Sequence, residues 1–297
     1  MLDVRKLRLL RELAHRGTIA AVAGALSYTP SAVSQQLAAL EREAGVPLLR
    51  RTGRRVALTP AGAALADQTE AVLDLLEQAS AALAAARAGL SGPLRIGAFP
   101  TAVRTILPAA LVALGRDHPG LELMVTELDP AAVPDALRGG QLDVALVHDY
   151  DYVPVQPDPA LDTEPLLEEA IYLATPPGDK TAAAEQAISA CRDAPWIVGS
   201  PDTLCHTMAV RACQAAGFTP RIRHHADDFT TVLALVAAGQ GVALVPELGA
   251  IDPPADVTLT PLPTRRRTRI AYRKGTRHQP SVAACIAAIR DAARDLS

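Results

Sequence analysis

A mixed α/β fold with an all-helical head ahead of a larger body is what this 297-residue sequence predicts. Three observations predict it. Apolar residues recur at helical spacing from Val4 to Leu40, an unbroken Ala/Leu/Glu/Gln-rich stretch follows Thr59-Pro60, and beyond Ser91-Gly92-Pro93 short apolar runs alternate with helical ones. The expected divisions are a winged helix-turn-helix at 1–58, a linker helix at 59–92 and an α/β domain at 93–297.

In the head, Val4, Leu7, Leu10 and Leu13 form one helical face, and Gly17 supplies the stop. Thr18 is a candidate N-cap for a short second helix carrying Ala21, Val22, Ala25 and Leu26. Thr29-Pro30 opens a third, with a capping hydroxyl followed by proline where its missing N–H costs nothing. Ala32, Val33, Leu37 and Leu40 would pack inward, so Ser31, Ser34 and Gln35 project from its first turns. Hydroxyls and amides there suit the base edges of a major groove, although an ordinary polar face looks the same. The next segment favours the groove. Leu48 to Thr59 reads as a hairpin with Arg51, Arg54 and Arg55 around a Thr-Gly turn, a basic wing for phosphate or a narrow minor groove. Charge agrees: residues 1–58 hold ten Lys/Arg against four Asp/Glu, while the rest holds 19 against 28.

Thr59-Pro60 repeats the cap-plus-proline start. From there Leu65, Thr69, Val72, Leu76, Ala79, Leu83, Ala86 and Leu90 are spaced alternately by four and three. That is a heptad seam. A helix of about 30 residues would reach about 45 Å, too long for so small a head to cover, so Leu65, Val72, Leu76 and Leu83 are expected to face a second copy.

In the body, strands are expected at 94–99, 121–128 and 142–148, and helices at 101–116 and 131–138. Such alternation argues a parallel sheet. Residues 136–147 are echoed by 234–245, each reading as helix, glycine and buried strand, which implies two related lobes: 93–163 closed by 267–297, and 164–266. Ligands of open α/β sheets gather beyond the carboxyl ends of strands. This places residues 99–102, Asp129-Pro130, His148-Asp149, 200–206 and Val245-Pro246 around one cleft.

Gly17-Thr18-Ile19, Ala25-Leu26, Thr29 through Leu37, Leu40-Glu41, Gly45 through Leu49, Arg51, Gly53-Arg54 and Leu58 through Gly62 together resemble, in order and spacing, the DNA-binding signature of the LysR-type transcriptional regulators. Gln35 stands where arginine is more usual and Leu49 where an aromatic is common, which alters operator sequence rather than binding mode. The resemblance extends to the body as a two-lobed, periplasmic-binding-protein-like effector domain. It implies double-stranded DNA with a partly palindromic operator as partner, an antiparallel homodimer through the linker, a homotetramer beyond it, and a small-molecule effector. The implied effector contacts are Phe99, Thr101, Ala102, Asp129, Pro130, His148, Leu204, Cys205 and His206. Helices expected to begin at Pro100-Thr101 and near 201–204 would point N–H groups into the cleft, with Thr101 and a protonated His148 as further donors, so a small organic anion is expected there. Asp129 and Asp149 argue for an amine or a neutral ligand instead.

Four cysteines form no CxxC pair and lack zinc spacing, so reduced thiols, no metal and no cofactor are expected. Adjacent His224 and His225 make a poor metal site. A thiol-based redox sensor of the same family is the alternative, because Cys205 and Cys213 lie where peroxide-sensing members carry a pair; at i and i+8 their sulfurs would start about 12 Å apart. No nucleophile elbow, Walker A loop, GxGxxG or HExxH occurs, which argues against an enzyme. No apolar run approaches the roughly 20 residues of a membrane span, and the N-terminus reads as a charged amphipathic helix rather than an export signal. A cytoplasmic protein without a membrane partner is the expectation.

Overall fold

The computed structural model describes residues 2–52, 55–85, 90–154, 157–177, 186–294 and 296. They fall into two compact units, Met1–Ala88 with Lys274–Pro280, and Gly89–Arg273 with Ser281–Ser297.

The first unit begins with α1 (Val4–Arg16), α2 (Ile19–Ala25) and α3 (Pro30–Ala44). Asp3, Thr18 and Thr29 each cap the helix that follows through a side-chain oxygen, and Gly17 and Gly45 end α1 and α3 in the left-handed conformation. Leu10, Val22, Val33, Leu37 and Leu40 fill the centre. A hairpin follows, β1 (Leu49–Thr52) paired with β2 (Arg55–Leu58). Its base is pinned from α3, since Glu41 Oε1 accepts from both the Leu48 and Leu49 amides at 2.9 Å. α4 (Pro60–Ala85) then starts on a Thr59 cap. Gly62 lies so close that a Cβ there would run into the Leu48 carbonyl oxygen, so only glycine lets α4 meet the hairpin.

The second unit contains β3 (Ser91–Ala98), α5 (Pro100–Thr105), α6 (Leu107–Asp117), β4 (Gly120–Glu127), α7 (Val133–Arg138), β5 (Val144–Tyr150), β6 (Leu161–Thr175), α8 (Ala187–Ala190), β7 (Pro195–Val198), α9 (Leu204–Ala215), β8 (Arg221–His225), α10 (Phe229–Ala237), β9 (Ala243–Pro246), β10 (Thr258–Arg273) and α11 (Pro280–Arg294). A six-stranded sheet runs β4-β3-β5-β10-β6-β9, and β7-β8 forms a smaller parallel pair. Two lobes result. β6 and β10 run antiparallel through both, with a register shift between Leu262 and Arg265 where they pass from one lobe to the other.

The expected parallel pairing of the strands near 94–99, 121–128 and 142–148 holds as β4-β3-β5, and β10, whose direction periodicity does not set, joins them antiparallel to β5 and β6. Other expectations need correction. The break at Ser91-Gly92-Pro93 is strand, because Pro93 lies opposite Glu122 of β4 while pairing to β5 starts only at Ile96, so its missing N–H leaves no gap in the ladder. The helix at 101–116 is two helices: Pro108 has no N–H to continue α5, and α6 restarts at Leu107. The lobe boundary at 163/164 falls within β6, a single strand of 15 residues. The last residues of the linker, 86–89, lie outside the described ones.

Candidate operator and effector sites

In the head, α3 turns Val33, Leu37 and Leu40 inward, and this forces Ser31, Ser34, Gln35 and Gln36 outward into solvent. Thr29 Oγ1 accepts from the Ala32 amide at 3.2 Å and lies 3.1 Å from Ser31 Oγ, which holds the first turn of the exposed face in one conformation. Thr18 caps α2 in the same way, and Pro30 occupies the first turn of α3. The β1–β2 register pairs Thr52 with Arg55. Arg54 lies outside the described residues; Arg51 and Arg55 sit on β1 and β2, and exposed Arg50 lies beside them.

Along α4 the seam divides. Leu65 packs on the head core and Thr69 is buried, its hydroxyl on the Leu65 carbonyl. These two serve their own chain because α1 lies against the first turns of α4. Val72 and Leu76 are 38% and 45% exposed, with Leu75 beside them at 64%, an apolar stripe without cover. The side chain of Leu83 is not among those described.

In the body, a cavity of about 190 Å³ lies between the lobes. Phe99, Thr101, Asp129, Pro130, His148 and Cys205 line it, as expected from strand ends. Three expected residues do not. Ala102 is buried in the lobe core, Leu204 lines a neighbouring cavity, and His206 stacks on His225 with both Nδ1 atoms on the Gly199 carbonyl, at 3.1 and 2.9 Å. Thr203, from the 200–206 segment expected at the cleft, also lines it, and Asp227, Phe229 and Arg266 line it unforeseen.

Arg266 is the largest omission. It is fully buried, its Nε donates to Glu169 Oε1 at 2.7 Å, and its guanidinium lies 4.9 Å from the Phe99 ring centroid. Nη1 has no hydrogen-bond partner. Alternation along Arg265-Arg266-Arg267 on a strand would have turned the middle arginine away from the other two, and that was the available signal.

The electrostatics revise the expected donors. Burial, and then the Arg266 charge, hold the His148 imidazole well below its usual range, so it is neutral rather than cationic. Its ring is wedged edge-on between Phe99 and Tyr150, at 4.5 and 5.0 Å, with neither nitrogen hydrogen-bonded. Burial raises Asp129, against the Ala131 and Leu204 amides that lower it. The N-terminus of α9 is therefore already served, by Asp129 and by Thr203, whose Oγ1 accepts from His206 at 3.2 Å. The carboxylate of Asp227 is engaged by the Ser200 amide and hydroxyl at 2.7 and 2.5 Å. Cys205 Sγ lies 3.3 Å from Tyr150 Oη, its thiol raised by burial although Tyr150 and Arg266 oppose the shift. Cys213, two turns along α9, is buried in the second lobe's core and pushed up to about 12 by desolvation. No group of three metal-ligating side chains occurs among the described residues, and none of their helices is long and apolar enough to cross a membrane.

Two family models match the chain: "Bacterial regulatory helix-turn-helix protein, lysR family" over residues 4–63 and "LysR substrate binding domain" over residues 87–294. Among curated relatives, a "probable hydrogen peroxide-inducible genes activator" of Mycobacterium avium is 32% identical over 243 residues, 81% of this chain and 76% of the relative. A protein of the same description from Streptomyces viridosporus is 31% identical over 290 residues, covering 92% and 89%. Among solved structures, full-length OxyR from Pseudomonas aeruginosa superposes with a TM-score of 0.60 at 25% identity, over 98% of each chain.

Proposed function

Because the chain belongs to the LysR family of bacterial helix-turn-helix regulators, we propose that it is a cytoplasmic, non-enzymatic regulator whose operator binding is modulated by a small organic acid held between the lobes. A homodimer joined through α4, and a tetramer built from it, would present its heads to a partly palindromic duplex. The observation that carries the effector reading is the company kept by Arg266. A buried guanidinium with an unpartnered Nη1 shares the cavity with Thr101, Asp129 and Asp227. A carboxylate beside Thr101 and Arg266 would gain charge-assisted hydrogen bonds, and a hydroxyl or amino group on the same molecule would serve the two aspartates. A hydroxy or amino acid of a few carbons fits about 190 Å³.

The test is a thermal-shift screen of small hydroxy, amino and dicarboxylic acids, with gel shift on DNA flanking the protein's own gene. Thr101→Asp, which sets a negative charge against the carboxylate, should abolish the response to the acid found and leave operator binding intact. An unchanged response in Thr101→Asp would overturn the reading.

A second reading, thiol-based peroxide sensing, is favoured by Cys205 in the cavity wall beside Arg266 and by the names of the two relatives. Against it stand the raised thiols and the two helical turns between Cys205 and Cys213. Mass spectrometry after peroxide should find no bond between these sulfurs; a crosslink that alters operator affinity would establish this reading in place of the first.

A further inference from the structure

His148 and the first turn of α9 divide the space between the lobes in two. Cys205 lines the polar cavity, while Leu204, one residue earlier, lines a second and larger one of about 490 Å³; Pro130 and His148 belong to both walls. We propose that this larger cavity is a ligand site in its own right, for a neutral and mainly apolar small molecule of the size of a fused aromatic ring system.

Its walls state that chemistry. Val133, Val147, Val153 and Leu161, with the prolines at 130, 134, 154 and 157, give an apolar and stiff lining that loses little entropy on binding. The charged groups on it already have partners: Asp149 pairs with Arg267 and Arg269 at 3.3 and 3.4 Å, and Asp158 with Arg138. A ligand carboxylate would meet two carboxylates, and a ligand ammonium would have to compete with three arginines; a neutral molecule meets neither obstacle. The polar cavity differs in kind, smaller and holding Asp129, Asp227 and the unpartnered Nη1 of Arg266. His148 forms the boundary, a neutral imidazole wedged edge-on between the Phe99 and Tyr150 rings and so adding no charge to either cavity.

The larger site also spans the lobes. Leu204 comes from one lobe, and Val147, Leu161 and Ala271 come from strands of the other, so an occupant buries area on both and favours the lobe arrangement that maximises it.

The probes are 2-naphthol and its charged analogue 2-naphthoate, titrated against the full chain by saturation-transfer NMR. Naphthol should bind, and naphthoate about tenfold more weakly or less. Ala131→Trp and Pro157→Trp replace exposed residues of the cavity wall with a bulky side chain that takes up part of its space, and each should cost naphthol about tenfold in affinity or more. Thr101→Asp should leave naphthol binding as it is, because Thr101 lines only the polar cavity. The arms separate this site from the effector reading: loss of the organic-acid response with naphthol binding retained leaves the larger site standing. Absence of naphthol binding overturns the proposal, as does binding indifferent to both tryptophans or abolished by Thr101→Asp.

Discussion

On the proposed reading, Gln35 and Arg54 would divide the work of a DNA contact in a way that single substitutions can separate. Gln35 stands exposed on the first turns of α3, where an amide pairs with one base edge, so replacing it should shift preference at one operator position by about 1–3 kcal/mol and leave the others. Arg54 is expected from the sequence at a basic wing, and on that reading Arg54→Ala should weaken binding to all sequences and flatten the salt dependence by about one phosphate equivalent. Unaltered affinity and slope would remove the wing from the interface. His148 makes a different prediction. Its folded-state pKa is depressed, so the unfolded chain takes up a proton that the native cavity refuses as pH falls below about 6.5. The contribution is fully present above that value and declines below it, by up to about 1.4 kcal/mol per pH unit for one proton. Melting of the body between pH 7.5 and 5 should show this loss, and His148→Phe should reduce it; an identical pH profile in the variant would place the imidazole in contact with solvent.

At the scale of elements, α4 shows why a seam in sequence is not one surface. Leu65 and Thr69 continue the heptad that holds Val72 and Leu76, yet the first pair is consumed by α1 and only the second remains open. If α4 joins two copies as proposed, Leu76→Asp should break that dimer by placing a charge at a helix interface, with operator affinity falling as one head loses its partner. Light scattering that finds the parent mass would put the interface elsewhere. The split of α5 from α6 has the same lesson in reverse, since Pro108 was visible in the sequence as a residue without a donor.

For the molecule as a whole, the crossing of β6 and β10 is the feature on which the lobes depend. Arg266 of β10 and Glu169 of β6 meet there in a buried pair, and Glu169 Oε2 also accepts from the Leu248 amide at 2.7 Å, beyond β9. Glu169→Ala should leave the guanidinium buried without its counter-charge and cost about 3–5 kcal/mol in a denaturation experiment. The double variant Arg266→Met with Glu169→Leu should recover part of that stability, because apolar neighbours of similar volume replace both charges while the Leu248 amide still lacks its acceptor. A double variant no more stable than the single one would mean that packing, and not charge, holds the crossing.

The sequence by itself determined what local periodicity and capping chemistry dictate. Thr18, Thr29 and Thr59 announce their helices, the apolar face of α3 dictates which polar residues it exposes, and strand ends place Phe99, Thr101, Asp129 and His148 around one cavity. Tertiary structure alone decided which charges meet. Arg266 is one of three consecutive arginines, and only pairing of β10 with β6 puts the middle one against Glu169 and beneath Phe99, more than 160 residues away in the chain. The same packing removed water from His148 and so took away the proton that an exposed histidine would gain, and it turned Ala102 and His206 from the cavity into the core and toward Gly199. Periodicity is a property of neighbours along the chain, while desolvation and ion pairing belong to neighbours in space.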